Sequence, residues 1–491
     1  MQATVPERVL PWIDGGWSAE PPTGVREWIP VVEPATGREV ARVADCPPAE
    51  VDRAVRAASA ALPAWAAMPA PRRAELLEAL ATLVDRDRDR LAWLESVDSG
   101  KPISLAREVE IPRAAANLRF FAGLVREWSP DESLRDGRSE SRVLRRAAGV
   151  AGCISPWNLP LYLFTWKIAP ALAAGCTVVA KPSEETPLTA AALAGLSAEA
   201  GFPTGVLNVV QGRGAVCGAA IVAHPRIPVI TFTGGTATGE RIMSVAGPMF
   251  KRTALELGGK NPTIVMADAD MDAALEGALR SAFQNQGQVC LCGSRLLVER
   301  PAFAAFRDRF VARARELRPG DPLDPGAVQG SLVSEAHRAK VSAAVDRARA
   351  EGGRVLCGGA VPRPEDLPER VRGGAFYLPT VIESLPMGCA TNQEEIFGPV
   401  VSIQAFDGED EAVGLANDSA YGLAAGVWTA DRARGLRMAE RLEFGIVWIN
   451  AWLLRDLRVP FGGVKRSGLG REGGEEALRF FTEPKSVTWP A

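Results

Sequence analysis

The sequence predicts an α/β fold built on doubly wound parallel sheets, and three observations carry this prediction. A helical region comes first, apolar strands alternate with helices from Gly149, and a second alternating region follows Leu257. The length of 491 residues allows two to four domains with ample apolar core, at roughly 100–200 residues each.

The region from Pro48 to about Trp128 is predicted to be helical. Runs such as AEVDRAVRAASAALPAWAAM and RRAELLEALATLVDRDRDRLAWL place apolar residues at three- and four-residue spacing, which is typical of amphipathic helices. The next segment, WSPDESLRDGRSESRVLRRA, is polar and turn-rich with a strand-like end. It predicts a hairpin arm.

The two alternating regions supply the predicted sheets. The strands of the first are read in GVAGCISPW, CTVVAKP, VLNVVQG and residues 228–234, with the helices TWKIAPALAAG and TPLTAAALAGLSAEAG between them. The strands of the second lie near PTIVMA, SRLLVE, PVVSIQAF and GVWTA. Apolar strands separated by helices favour parallel sheets. The terminal RFFTEPKSVTW predicts a strand that pairs with another segment or another chain.

Charge and cysteine usage exclude several classes of protein. Lys+Arg number 56 against 59 Asp+Glu, so no basic stripe predicts a nucleic-acid partner. Eight cysteines scattered from Cys46 to Cys389 do not form the dense framework of a disulfide-stapled protein, which favours the reducing cytoplasm. The N-terminus lacks a signal-peptide pattern, and the apolar run from Ile168 to Ala180 is too short to cross ~30 Å of bilayer.

Two histidines are present in the chain, and they limit the chemistry further. His224 precedes Pro225 and His337 lies in SEAHRAK, so both are predicted to be exposed structural residues. A zinc site with two or three histidine ligands is excluded, and no metal is expected. If the protein is an enzyme, its general base is predicted to be a carboxylate.

Glycine-rich turns suggest a dinucleotide site. The G-x-G-x-x-G at residues 468–473 leaves too little chain for a βαβ unit and is dismissed. Phe232-Thr-Gly-Gly-Thr-Ala-Thr-Gly239 follows an apolar strand and precedes a helix, where backbone N–H groups favour a pyrophosphate. The alternative is an ordinary strand-to-helix turn. Lys181 and Glu184 follow another strand, where a carboxylate can accept ribose hydroxyls and repel a 2′-phosphate; a solvated turn is the alternative.

Two further segments carry candidate catalytic side chains. Cys290 follows the polar, glycine-containing run FQNQGQV and is predicted to lie at a helix start, which stabilises a thiolate; an inert core cysteine is the alternative. Glu256 stands between Leu255 and Leu257 before two glycines. A buried carboxylate of raised pKa is a suitable general base.

Seven motifs in order resemble those of the NAD(P)-dependent aldehyde dehydrogenase superfamily, over nearly the whole chain. They are SPWNLPL (155–161), KPSEETP (181–187), FTGGTATG (232–239), ELGGKNP (256–262), NQGQVC (285–290), EEIFGPV (394–400) and PFGGVKRSGLGRE (460–472). Gly235 departs from the serine of many members, which puts one phosphate or packing contact in doubt.

The resemblance implies a Cys290 nucleophile, a Glu256 base that activates water, and an Asn158 amide that donates to an oxyanion hole with the Cys290 N–H. It also implies NAD, with Lys181 and Glu184 on the adenosine ribose, Gly234 and Gly239 at the pyrophosphate, and Glu395 and Phe397 at the nicotinamide end. The other implied cofactor-binding residues are Ser155, Trp157, Gly212, Thr233 and Leu257.

The implied reaction is oxidation of an aldehyde through a Cys290 thiohemiacetal and thioester, which water then hydrolyses. Intact Glu256 argues against the branch in which coenzyme A replaces water. Open alternatives are a broad-range or betaine-type aldehyde dehydrogenase, a catalytically silent binding member, and a plain thiol hydrolase.

Two segments resemble the branch that oxidises 2-hydroxymuconic or 2-aminomuconic semialdehyde: IPRAAAN (111–117) and LRDLRVPFG (454–462). The resemblance implies that Arg113 and Arg458 bind the substrate carboxylate, in a site that includes Trp166. A planar carboxylate suits a guanidinium. Alternatively, Arg113 pairs with Glu108 or Glu110.

The implied architecture is aldehyde dehydrogenase-like, with three parts. Residues 1–127 and 147–256 form the NAD-binding domain, 257–450 the catalytic domain, and 128–146 with 478–491 a small β oligomerisation arm. The arm predicts a homodimer or homotetramer.

Overall fold

The computed structural model describes residues 4–18 and 27–491. The predicted α/β fold with two large, mainly parallel sheets and a small β arm is confirmed. The helical N-terminal region is also confirmed, and Gly100 ends one of its helices in the left-handed conformation (φ 75°). Its helices are Pro48–Ala67, Ala70–Arg86, Arg88–Ser99 and Ile103–Leu105, the last continuing through a π-helical turn, Ala106–Glu110, into Ile111–Glu127.

The first large sheet has eight strands, five of them parallel to one another. In spatial order they are Gly468–Leu469, Arg252–Glu256, Val229–Thr233, Val150–Ile154, Thr177–Lys181, Leu207–Val209, Trp12–Ile13 and Gly16–Trp17. Their apolar residues are buried on both faces because helices cover the sheet. The associated helices are Pro160–Ala173, Leu188–Glu199, Ala219–Ala223 after the π-helical turn Gly214–Gly218, and Thr236–Ala246.

The second large sheet has seven strands, of which one edge strand is antiparallel. In spatial order they are Arg354–Cys357, Thr380–Glu383, Val400–Phe406, Gly293–Glu299, Asn261–Val265, Ala424–Trp428 and Ile446–Ile449. The helices of this part are Met271–Phe283, Arg300–Glu316, Glu335–Ala350, Ala390–Gln393, Gly408–Asn417 and Arg432–Arg441.

Three smaller sheets complete the fold. The strands Arg8–Val9, Trp28–Glu33 and Arg38–Ala44 form one, and Tyr421–Gly422 with Val464–Lys465 forms another. The third is the arm. Its hairpin, Glu132–Arg135 and Ser139–Ala147, is completed by Thr482–Pro490, which follows the helix Gly474–Phe480. The terminal strand therefore pairs with another segment of the same chain, over nine antiparallel residue pairs.

The two large sheets meet end to end. Arg252–Glu256 closes the parallel part of the first sheet, and after Leu257-Gly258-Gly259-Lys260 the chain enters the second sheet at Asn261. The carboxyl ends of the first set of strands therefore face the amino ends of the second. Ligand sites in open α/β sheets lie at such carboxyl ends.

Within the described residues, no helix is both long and apolar enough to cross a membrane. All eight cysteines are free thiols. No cluster of His, Cys, Asp and Glu in the described ranges has the composition of a metal site.

Candidate active site

Cys290 lies in a turn at the amino end of the second sheet, just before the strand Gly293–Glu299. The predicted helix start is wrong: the helix Met271–Phe283 ends earlier, and Asn285 and Gln286 adopt left-handed backbone (φ 52° and 57°) that turns the chain away. Burial raises the pKa of the Cys290 thiol well above its usual value, and the nearby Glu395 and Glu256 carboxylates raise it further.

The main chain around Cys290 is held by Asn261, which is 2 % exposed. The Asn261 Nδ2 atom donates to the carbonyl oxygens of Cys290 (2.7 Å) and Cys292 (2.9 Å). Its Oδ1 accepts from the N–H of Ala424 (3.0 Å). One amide therefore ties the thiol-bearing turn to two neighbouring strands of the second sheet.

Glu256 ends the last parallel strand of the first sheet and lines the same cavity as Cys290. Its side chain is buried, and neither carboxylate oxygen has a hydrogen-bond partner among the described residues. Burial raises the pKa of Glu256 well above its usual value, and the Glu472 carboxylate raises it further. Gly462 leaves room for this carboxylate, since a Cβ there would lie 2.8 Å from Glu256 Oε1.

Asn158 follows the strand Val150–Ile154 and lines a cleft that also contains Cys290. Its Nδ2 donates to the carbonyl of Gln288 (3.0 Å), two residues before Cys290. A primary amide has two N–H groups, so one remains for another acceptor. The structure therefore brings the three predicted catalytic side chains to the junction of two cavities.

The larger cavity is a cleft of about 410 Å³ at the ends of both sheets. Eight of the predicted residues line it: Trp157, Asn158, Thr233, Gly234, Leu257, Cys290, Glu395 and Phe397. Gly234 is required at its position because a Cβ would lie 2.3 Å from the Phe232 ring, and a Cβ at Gly239 would lie 2.7 Å from Leu257. The buried hydroxyl oxygen of Thr233 has no hydrogen-bond partner among the described residues.

The remaining predicted cofactor residues lie beside this cleft, at the next strand ends. Lys181 Nζ is 2.9 Å from Glu184 Oε2, and Glu184 Oε1 accepts from the Gly214 N–H (2.9 Å). Burial raises the pKa of Glu184, but the Lys181 ammonium and the Gly214 N–H outweigh it and leave the pKa below its usual value. The Ser155 N–H donates to the Lys181 carbonyl (3.1 Å). Gly212, with φ 126°, lies in the loop that follows the strand Leu207–Val209.

The prediction that both histidines are exposed is wrong, because both side chains are half-buried. His337 lines the cleft edge-on to Trp157, with ring centroids 5.2 Å apart, and its Nε2 lies 2.7 Å from the Phe397 carbonyl oxygen. His224 is half-buried, with Nε2 3.2 Å from Asp52 Oδ1. Burial lowers the pKa of both imidazoles, which favours their neutral forms.

Glu395 contacts the segment that joins the two large sheets. Its Oε1 accepts from the Gly259 N–H (3.0 Å), and Gly258 permits the approach because a Cβ there would lie 2.2 Å from Oε2. Burial raises the pKa of Glu395 to about 7, against the lowering influence of this bond and of Lys260.

The second cavity opens on Cys290 from the other side and has aromatic walls. Tyr162, Trp166 and Phe461 line it together with two arginines, Arg113 and Arg455. The Arg455 guanidinium lies 4.4 Å from the Trp166 ring centroid and 4.1 Å from that of Phe461, and Arg113 lies 5.8 Å from Tyr162. Neither guanidinium forms an ion pair with a described carboxylate, so the alternative that Arg113 pairs with Glu108 or Glu110 is wrong.

Arg458 does not reach this cavity, contrary to the prediction. Its side chain is 82 % exposed and ion-paired with Asp456, with 2.6 Å between Nη2 and Oδ2. The Arg458 N–H also donates to Asp456 Oδ1 (3.0 Å), so a local turn holds the side chain outside. Arg455, three residues earlier, takes the cavity position.

Several residues of the site were missed from the sequence. Asn261 lies in ELGGKNP and Arg455 in LRDLRVPFG. An amide that closely follows two glycines was the available signal for Asn261. Glu472 ends another of the seven motifs, but its contact with Lys167 Nζ at 2.9 Å had no local signal because the two residues are 305 positions apart. The dismissal of residues 468–473 is supported, because Gly468–Leu469 is an antiparallel edge strand and begins no βαβ unit.

Comparisons with known proteins agree with this geometry. A family model described as the aldehyde dehydrogenase family matches residues 21–487. The 2-aminomuconic semialdehyde dehydrogenase of Danio rerio is 48 % identical over 93 % of this chain and 94 % of its own. The 2-hydroxymuconic semialdehyde dehydrogenase of Pseudomonas sp. (strain CF600) is 49 % identical with the same coverage of both chains. The solved betaine aldehyde dehydrogenase of Staphylococcus aureus in complex with NAD+ has a TM-score of 0.93, 36 % identity, and coverage of 98 % of this chain and 94 % of its own.

Proposed function

The chain belongs to the aldehyde dehydrogenase family, and from this premise we propose that it oxidises a muconic-type semialdehyde, 2-aminomuconic or 2-hydroxymuconic 6-semialdehyde, to the dicarboxylic acid. One observation carries the substrate class. Two guanidiniums that form no ion pair with a described carboxylate, Arg113 and Arg455, line the cavity that holds Cys290 and Glu256. A carboxylate on the substrate would form ion pairs with these half-buried guanidiniums.

We propose NAD as the cofactor, and the cleft beside Cys290 fits it. The cleft presents glycine backbone at Gly234 and a Thr233 hydroxyl that has no hydrogen-bond partner in the described part of the chain. The Glu184 carboxylate at the next strand end suits ribose hydroxyls. Glu184, with its lowered pKa, stays charged near neutral pH and disfavours a 2′-phosphate. NAD+ supplies the hydride acceptor.

In the proposed reaction, the Cys290 thiolate attacks the aldehyde carbon and forms a thiohemiacetal. The free N–H of the Asn158 amide, with the Cys290 N–H, stabilises the oxyanion; removing one such donor typically costs ~2.7–4 kcal/mol of transition-state stabilisation. Loss of the hydride leaves a thioester on Cys290. Glu256 then takes a proton from water, which attacks the thioester carbon and releases the acid and the thiol.

The buried environment opposes ionisation of both reacting groups. Burial raises the pKa values of both Cys290 and Glu256, which favours the neutral form of each group in the free protein. The Cys290 thiolate would be favoured by the positive charge that NAD+ would bring to the cleft that Cys290 lines. A carboxylate of raised pKa is in turn a stronger base once it has lost its proton.

The test is NADH formation with matched aldehydes. We expect 2-hydroxymuconic semialdehyde to exceed both hexanal, a neutral aldehyde of equal chain length, and cationic betaine aldehyde in kcat/KM. Cys290→Ala should abolish NADH formation. If hexanal or betaine aldehyde is the better substrate, the chain is a broad-range or betaine-type enzyme. If the unmodified protein makes no NADH with any of them, a silent binding member is favoured.

We also propose that the protein is a cytoplasmic homodimer or homotetramer. The arm sheet supports the oligomer, because its strand Glu132–Arg135 is exposed along its whole length and offers an unpaired edge. The eight free thiols support a reducing compartment. Light scattering on the full chain tests the oligomer, with Val143→Pro, which disrupts the central arm strand Ser139–Ala147, as the comparison.

A further inference from the structure

A buried lysine lies beneath the proposed oxyanion site and has no part in the reaction described above. Lys101 is fully buried (0 % exposed), as is Glu95, and Glu110 is 3 % exposed. The left-handed Gly100 ends the preceding helix and turns the chain so that Lys101 enters the interior. Burying an ammonium group is costly unless hydrogen-bonded or charged partners compensate it. The partners of Lys101 include the main chain of Asn158.

The Lys101 ammonium has three partners. It forms an ion pair with Glu110 and lies 3.5 Å from Glu95 Oε1. Its third bond, of 3.1 Å, is donated to the main-chain carbonyl of Asn158. The two carboxylates therefore hold the ammonium, and the ammonium in turn holds Asn158.

The same carbonyl accepts a second bond, from Asn285 Nδ2 at 3.0 Å. The Asn158 side chain, by its own Nδ2, is oriented by the Gln288 carbonyl at 3.0 Å. A shift of the Asn158 peptide would thus move its free N–H relative to Cys290. A misplacement of about 1 Å in such a group can cost on the order of 10²-fold in rate.

We propose that Lys101 is a positioning residue that holds the Asn158 carbonyl and thereby aims the Asn158 amide at the oxyanion. The inference rests on the proposed function, since it requires Asn158 to be the oxyanion donor. Glu110 also lines the substrate cavity, one helical turn before Arg113. The same ammonium therefore joins a wall of the substrate cavity to the oxyanion site.

The test is a double-mutant cycle of Lys101→Met, Asn158→Ala and the double variant, with single-turnover NADH formation from 2-hydroxymuconic semialdehyde as the readout. We expect Asn158→Ala to lower the rate constant about 10²–10³-fold and Lys101→Met to lower it roughly 10–100-fold. The rate constant of the double variant should equal that of Asn158→Ala within about twofold, because Lys101 has no amide to position once the Asn158 side chain is removed. The KM for NAD+ should not change.

A matched control is Lys251→Met. Lys251 is also buried and donates to a main-chain carbonyl, that of His224 (2.6 Å), away from the proposed active site. Its loss should leave the rate constant within about twofold of the parent, which separates positioning from the general cost of removing a buried lysine.

Lys101→Met leaves two buried carboxylates without their cation, so a second cycle avoids that risk. Asn285→Gly deletes the other donor to the same carbonyl, retains the buried ion pairs and suits the left-handed backbone at this position (φ 52°). It should show the same non-additivity with Asn158→Ala.

The outcomes separate the two ideas. If Asn158→Ala keeps the parental rate, the proposed role of Asn158 is wrong and the positioning role is wrong with it. Suppose instead that Asn158→Ala lowers the rate constant. If the fold-losses of Lys101→Met and Asn285→Gly then multiply with that of Asn158→Ala, or if neither variant has an effect alone, only the positioning role is overturned.

Discussion

The position of the substrate carboxylate can be tested by exchanging one arginine at a time. Arg455→Met keeps most of the aliphatic stem and removes the guanidinium from between Trp166 and Phe461. Arg458→Met makes the same chemical change on a side chain that is 82 % exposed and paired with Asp456. Both variants lose a guanidinium, but Arg455→Met loses it inside the cavity and Arg458→Met outside it.

The expected magnitude follows from the surroundings of each guanidinium. A hydrogen bond to a charged group contributes about 1.5–3 kcal/mol, and at about 1.4 kcal/mol per factor of ten this is roughly 10- to 150-fold in kcat/KM. Arg455 is half-buried between two rings, 4.4 Å and 4.1 Å from their centroids, so solvent screens its charge little. The exposed pair of Arg458 and Asp456 falls in the class that contributes about 0–1 kcal/mol.

The assay is steady-state NADH formation with 2-hydroxymuconic semialdehyde and with hexanal. The substrate carboxylate is far from the reacting bond, so its contact with Arg455 is expected to be equally strong in the ground state and in the transition state. We therefore expect Arg455→Met to raise KM and leave kcat within about threefold. Arg455 also lowers the pKa values of Glu256 and Cys290 by charge attraction, so activity on hexanal should fall less than activity on the semialdehyde. Arg458→Met should match the parent on both substrates. A large loss in Arg458→Met with a normal Arg455→Met would refute the assignment.

Three further predictions concern the proposed base and cofactor. Glu256→Gln should lower kcat about 10²–10⁴-fold while a stoichiometric burst of NADH persists, since hydride transfer precedes hydrolysis; a stopped-flow trace without a burst would contradict this order. Burial and Glu472 raise the pKa of Glu256, and a base acts when deprotonated, so kcat should rise with pH through that raised pKa. Glu472→Gln should shift this acidic limb to lower pH, and an unshifted kcat–pH profile would count against the coupling. Glu184→Ser should raise NADP+ use relative to NAD+ in kcat/KM by removing the charge that repels a 2′-phosphate, whereas an unchanged ratio would place the ribose elsewhere.

The sequence by itself determined the fold class and the neighbourhood of the chemistry. Helical and strand periodicities are local properties, so the order of elements was readable without coordinates. Motifs such as those around Cys290, Glu256 and Asn158 follow strand ends, and parallel strands bring such ends together. The structure accordingly places these three residues at one junction of two cavities.

Tertiary structure alone decided which side chains face that junction. Arg455 and Arg458 stand three residues apart in one loop, yet the pairing of Arg458 with Asp456 turns one outward while aromatic rings hold the other inside. The bond from Lys101 to Asn158 spans 57 positions, and no local pattern encodes it. Burial set the raised pKa of Cys290 in the same way. Side-chain direction and desolvation depend on neighbours that meet only in the folded chain, and these features were therefore beyond the reach of the sequence.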